Sequence, residues 1–381
     1  PIYQSTNLPI YQSELYNPKQ ESYRMEYSDK YLAFMGMWPK KIPHWEHWSC
    51  PDAETYLAGI DYYEHPKLCR LKMVELYPQL ELSIPEKDEP KPRPEEHKDK
   101  SKGRWGDSYR DYWQQEEAGQ RFASQEEMLR FSPLAQGDFT GWHAEDGDFR
   151  SEEVIYERYR KNYPAEWGDA APAGSTAVVG FYNTMFMWPL LVFGYENFLS
   201  ICLEPGFERI MDEFAEINRR LFRAFSRLPV NFVVCHDDIV LSSGPVCSPT
   251  WMHKYIFPRY EEYWAMLKNA GKEVLFMCDG KVDAYADDVM ACGARGIISE
   301  PYTDYKAIAR KYKNPFLAGE GDVRILMRNN PEEIKAMVKN MVETSKMSGG
   351  YVMCIGNHIP WNTPPEAIKL YLDLSSKMAV R

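Results

Sequence analysis

Five short apolar runs in the second half of the chain each end on residues that can ligate a metal or move a proton. NFVVC (231–235) is followed by His236, Asp237 and Asp238, and EVLFM (273–277) by Cys278, Asp279 and Gly280. GIIS (296–299) leads to Glu300, FLA (316–318) to Glu320 and Asp322, and YVMCI (351–355) to Asn357 and His358. Thiolate, carboxylate and imidazole together form the ligand set of a four-coordinate zinc ion with one position left for substrate. We therefore expect Cys278, Glu300, Glu320 and His358 to supply the metal ligands, and His236, Asp238 and Asn357 to be the catalytic residues beside them.

Each residue also has a structural role open to it. A buried thiol packs as a small apolar side chain, and Asp237 or Asp238 can cap a helix or turn, with only one of the pair facing inward because strand side chains alternate. Glu320 lies between Gly319 and Gly321, where the backbone can approach closely. His44, His47, His65, His97, His143 and His253 follow no apolar run and are left outside the site.

Ligands drawn from separate runs converge only if the runs share one sheet. From about Ala171 the chain alternates apolar runs with amphipathic segments. Phe207, Ile210, Met211, Phe214, Ile217, Leu221 and Phe225 recur at helical spacing after Pro205-Gly206, and Pro331 opens a second such segment. Nearly continuous apolar strands joined by helical crossovers predict a parallel sheet covered on both faces, and this many repeats fit an α/β fold of the (β/α)8 TIM-barrel type. No glycine-rich phosphate fingerprint follows any strand, which removes the main support for an open dinucleotide-binding sheet. In such a barrel the residues after each strand gather at one rim. Residues 1–170 read as an irregular, mainly helical, aromatic-rich N-terminal region, with a charged, proline-broken loop at 83–104, and 171–381 as the catalytic barrel.

Composition narrows the function classes. A net charge of −11 without a long basic run argues against nucleic acid or an anionic membrane surface as partner. The longest apolar candidate, Met185 to Phe193, is interrupted by Pro189 and is too short to span a bilayer. Without a secretory signal at Pro1 the expected location is cytoplasmic, and eight scattered cysteines with no CxxC pair are expected to be reduced. Aromatic residues make up 14%, including 26 Tyr, enough to wall a pocket for a flat ligand as well as to pack a core.

Gly349 to Glu366 (GGYVMCIGNHIPWNTPPE) resembles the last strand and loop of the uroporphyrinogen decarboxylase superfamily. Residues 194–214, 236–264 and 274–282 resemble further segments of it in the same order, so the resemblance runs from about 175 to 375 and implies the same (β/α)8 barrel. The decarboxylases of that superfamily grip a polycarboxylate with an N-terminal arginine cluster and carry a GHG-like turn after the last strand. Here the N-terminal segment reads MGMWPKKIP and the turn reads Gly356-Asn357-His358. Corrinoid-dependent methyltransferases form another branch, whose thiol-methylating members hold zinc with a His-x-Cys motif and a later cysteine. Aligned on Gly280, those positions are Met277, Asp279 and Asn357, so that ligand pattern is lost.

The resemblance therefore implies a substrate-demethylating member of the methyltransferase branch. Such an enzyme takes a methyl group from a methylated small molecule and passes it to cobalt in a separate corrinoid protein; the carboxylate-rich strand ends and the aromatic-rich N-terminal region suit a methoxylated aromatic compound undergoing O-demethylation. Zinc would be its metal, and self-association stays open. A lyase acting on a carboxylated substrate and a non-catalytic binding protein of the same fold are the alternatives.

Overall fold

The computed structural model describes residues 27–93, 121–142 and 147–380. The parts of the charged loop and aromatic-rich segment that fall at 94–120 lie outside these residues; 83–93 carries no helix or strand. Parallel strands form at all five expected places, here named β4 (Phe232–His236), β5 (Glu273–Met277), β6 (Gly296–Ile298), β7 (Phe316–Ala318) and β8 (Gly350–Tyr351); the last is shorter than the run at 351–355, which continues past it only as isolated bridges at Met353 and Ile355. β3 (Val178–Phe181) pairs in parallel with β4, giving a six-stranded ladder in the order β8-β7-β6-β5-β4-β3.

Two further strands come from the N-terminal part. β1 (His44–Trp45) pairs in parallel with β2 (Leu80–Glu81), and His44 makes a parallel bridge to Met353, just past β8. The N-terminal region thus supplies a two-stranded parallel pair that the His44–Met353 bridge joins to the end of the six-stranded sheet. Strands of two residues are too short to show alternation, so they left no pattern to read. Residues of β1 to β7, from Trp45 and Glu81 round to Ala318, line one interior hollow together with Val352 just past β8, as in a barrel.

Alternation sorts the side chains into two cores. On β5, Val274 and Phe276 face outward into the large core between sheet and helices, while Leu275 joins an inner cluster with Phe316, Ala318, Val352 and Cys354. The outer core is closed by amphipathic helices such as Phe207–Arg227, whose Ile210, Phe214, Ile217, Leu221 and Phe225 are all buried. Deleting one such side chain costs about 2–5 kcal/mol. The lower end is stoppered by helix Asp29–Phe34, where the Phe34 ring meets Phe232 and Phe316 edge-on at 4.9 Å each. The Met185–Phe193 segment is the short, wholly buried helix Met187–Phe193, and among the described residues no helix is long and apolar enough to cross a membrane.

Candidate functional site

The C-terminal ends of the strands surround a cavity of about 300 Å³. Trp45 and His47 reach it from β1, Tyr182 from β3, His236 from β4, Met277 and Asp279 from β5, and Cys354, Asn357 and His358 from beyond β8. His236 and Asp238 lie two positions apart at the end of β4, so alternation turns both inward. Asp279 arrives on the same side from β5, two residues after the inward-facing Met277.

One ligand atom from each of His236, Asp238 and Asp279 lies within 4.8 Å of the other two. His236 Nε2 is 3.0 Å from Asp238 Oδ1, which also accepts the backbone N–H of Asp279 at 2.7 Å. The Tyr182 hydroxyl donates to the other Asp238 oxygen at 2.9 Å, and its ring stands edge-on to the His236 ring, centroids 4.2 Å apart. Asn357 Nδ2 donates to Asp279 Oδ2 at 2.9 Å, and its Oδ1 is 2.8 Å from His358 Nδ1. Asn357 makes both contacts from a left-handed backbone, φ 65°, a conformation asparagine tolerates better than most residues.

The electrostatics differ from one imidazole to the next. Burial disfavours the His236 cation, but the Asp238 carboxylate, with Asp279 behind it, outweighs burial and lifts its pKa above the usual value. Burial pushes His358 down to about 4, with His47 adding to the effect. His47 is also lowered, first by burial and then by His236, against an opposing pull from Glu46. The mouth therefore holds two neutral imidazoles and one that favours its cation.

Asp237, the residue between, points the other way. Fully buried, it accepts backbone N–H groups of Met185, Phe186 and Met187 at 2.7–2.8 Å and the Tyr260 hydroxyl at 2.6 Å. It pins the loop after β3, which carries Tyr182 to Asp238. Burial drives its carboxyl up to about 7 against those hydrogen bonds.

The four expected metal ligands do not converge. His358 lines the mouth. Glu300 sits behind Asn357, hydrogen-bonded to it and to the Gly280 backbone, its pKa raised mainly by burial. Cys278 is fully buried in the outer core, one residue out of phase with Met277 and Asp279, and burial holds its thiol well above the usual range. Glu320 turns outward: its oxygens accept Asn340 and Thr344 at 2.8 Å and the Tyr351 hydroxyl at 2.6 Å, bracing β7 against helix Pro331–Ser345 and β8. Of the three residues expected to be catalytic, His236 and Asn357 line the cavity and Asp238 orients both His236 and Asp279.

Sequence reasoning missed Asp279, Tyr182, Trp45 and His47 as site residues. Asp279 stood at the end of an apolar run, but that run is apolar on both faces, so only the strand's phase in the sheet separates it from Cys278. His47 and Trp45 depend on β1, whose two residues carry no strand signal.

His236, Asp238 and Asp279 present one nitrogen and two carboxylate donors with room for substrate, a set that fits zinc or another borderline divalent ion in an open catalytic site. No curated protein matches this chain. Among solved structures it is similar over 92% of its length, at 16% identity and a TM-score of 0.50, to 99% of a methyltransferase from Methanosarcina mazei. A xylose isomerase-like TIM barrel protein from Mycobacterium smegmatis, described in complex with magnesium, matches at 10% identity and a TM-score of 0.26, over 66% of this chain and 96% of that one. The family model for uroporphyrinogen decarboxylase (URO-D) matches residues 170–378, more than half of the chain, and this chain belongs to that family.

Proposed function

We propose that the chain is a methyltransferase that removes the methyl group of a methylated small molecule, a methoxylated aromatic compound, and delivers it to cobalt in a separate corrinoid protein. The observation that supports this reading best is the make-up of the mouth. A histidine and two carboxylates converge there, and among the described residues no lysine or arginine lines it. A lyase that holds a carboxylated substrate needs cations where this cavity offers Asp279, with Asp238 buried directly behind it, so the acidic character of the mouth disfavours that alternative.

The residues divide the work. Trp45 and Tyr182 give the cavity aromatic surface for a flat ring. His236, Asp238 and Asp279 would hold zinc, with Tyr182 and Asn357 fixing the two carboxylates. When bound, such an ion supplies a Lewis acid that eases departure of the phenolate oxygen. His358 and His47, kept neutral by burial, can exchange hydrogen bonds with the substrate without adding charge. In-line transfer brings donor and acceptor atoms to about 3–3.5 Å, so the acceptor must enter through the open end of the barrel.

The test is methyl transfer from a panel of methoxyarenes to cob(I)alamin, with and without a corrinoid protein, on zinc-loaded protein of measured metal content. Methylcobalamin formation that stops on chelation is the expected result. Absence of transfer by loaded protein, with decarboxylation of a carboxylated substrate that ignores chelators, would return the lyase to first place.

A further inference from the structure

Beneath the mouth the barrel is hollow. A second cavity of about 160 Å³ lies among inward residues of β1 to β7 and Val352 just past β8; Val178, Val234, Leu275, Ala318, Val352 and Phe34 line it together with the buried His44. Barrels of this type normally fill that space with layers of bulky branched side chains. Here Ala318 is small, and at Gly180, on the same face of β3 as Val178, an added Cβ would meet nothing closer than 3.9 Å. Val178 is left 40% exposed although it faces the hollow. The charged groups sit at one edge, where Lys30 pairs with Glu81 and both remain partly exposed. Trp45, Met277 and Ile298 border both cavities and form the partition between them.

We propose that this hollow is a binding site for an uncharged apolar group the size of one benzene ring. An apolar cavity of about 150 Å³ takes up benzene or xenon, and this one is close to it in size, with a lining that is apolar apart from His44 and the Lys30–Glu81 edge. Phe34 and Trp45 offer ring surfaces, and the flexible thioether of Met277 lets the partition adapt to what lies on either side. The inference needs no methyl transfer and stands apart from the function proposed above. The group has two sources: a separate small molecule, or the end of a larger ligand whose head occupies the mouth.

The test is a fluorine NMR titration of the full chain with fluorobenzene, alongside xenon-pressurised crystals. Saturable one-to-one binding is expected, weakened at least tenfold by Ala318→Leu and by Val352→Phe, which fill the hollow, and left unchanged by His236→Ala in the mouth. Xenon density among Leu275, Ala318 and Val352 is expected in the unsubstituted protein, a result that does not depend on either variant folding. No saturable binding and no xenon density, or undiminished binding in folded filled variants, would overturn the proposal. Repeating the titration with 4-fluorobiphenyl identifies the source: tighter binding than fluorobenzene means that a longer ligand reaches down from the mouth, weaker binding that the hollow takes a single ring alone.

Discussion

The backbone N–H of Asp279, just past β5, donates to Oδ1 of Asp238, just past β4, at 2.7 Å. That bond ties two carboxylates on adjacent strands into one unit. Its geometry explains why the metal-ready cluster draws on neighbouring strands rather than on four strands around the rim.

Metal binding should follow the cluster. Asp279→Asn and His236→Ala are each expected to weaken zinc binding by well over tenfold, and Tyr182→Phe, which frees one Asp238 oxygen, by roughly tenfold or more. Cys278→Ser should leave affinity unchanged, and the cobalt-substituted protein should show no sulfur-to-cobalt charge-transfer band. Competition titration with a chromophoric chelator checks all four; a strong loss in Cys278→Ser would place the site elsewhere.

Glu320→Ala should act on stability rather than chemistry. It removes the hydrogen bond from the buried Tyr351 hydroxyl to Glu320 and cuts the link to Thr344 and Asn340, at a cost of about 1–3 kcal/mol. Denaturant unfolding reads that loss, while the folded fraction should retain zinc affinity. Normal stability with lost metal would contradict the outward placement of this carboxylate.

Gly280→Ala tests the packing of the rim. Gly280 has φ 101°, and a Cβ there would lie 2.7 Å from the Leu241 carbonyl carbon, in the short hairpin after β4. Strain of about 1–3 kcal/mol is expected, together with a shift of the adjoining Asp279 that weakens zinc binding. A variant as stable and as metal-competent as the parent would show that the hairpin yields freely.

His358 sets a pH dependence. The unfolded imidazole takes up its proton near pH 6.5, whereas in the folded chain burial delays this to about 4. Between those values the unfolded state holds more protons, so the stability is fully present above about 6.5 and is lost as pH falls towards 4. His358→Gln should flatten that part of the profile in thermal unfolding measured across the window. Identical slopes in parent and variant would mean that this ring is not desolvated.

The sequence by itself determined the barrel and the strand ends on which the site is built. The apolar runs at β4 to β8 and the 3.6-residue spacing of helix Phe207–Arg227 are properties of consecutive residues, and burial follows directly from them. It also brought His236 and Asp238 to one rim, because two positions apart on a strand means one face. Tertiary structure alone decided which neighbouring rim residues point inward. Cys278 and Asp279 are adjacent in sequence, and only the phase of β5 against β4 and β6 sends the thiol to the outer core and the carboxylate to the mouth. Glu320 likewise turns outward because Tyr351, Thr344 and Asn340, distant in the chain, compete successfully for its oxygens. The two-residue strands β1 and β2, with Trp45 and His47, owe their place to pairing partners rather than to any local pattern.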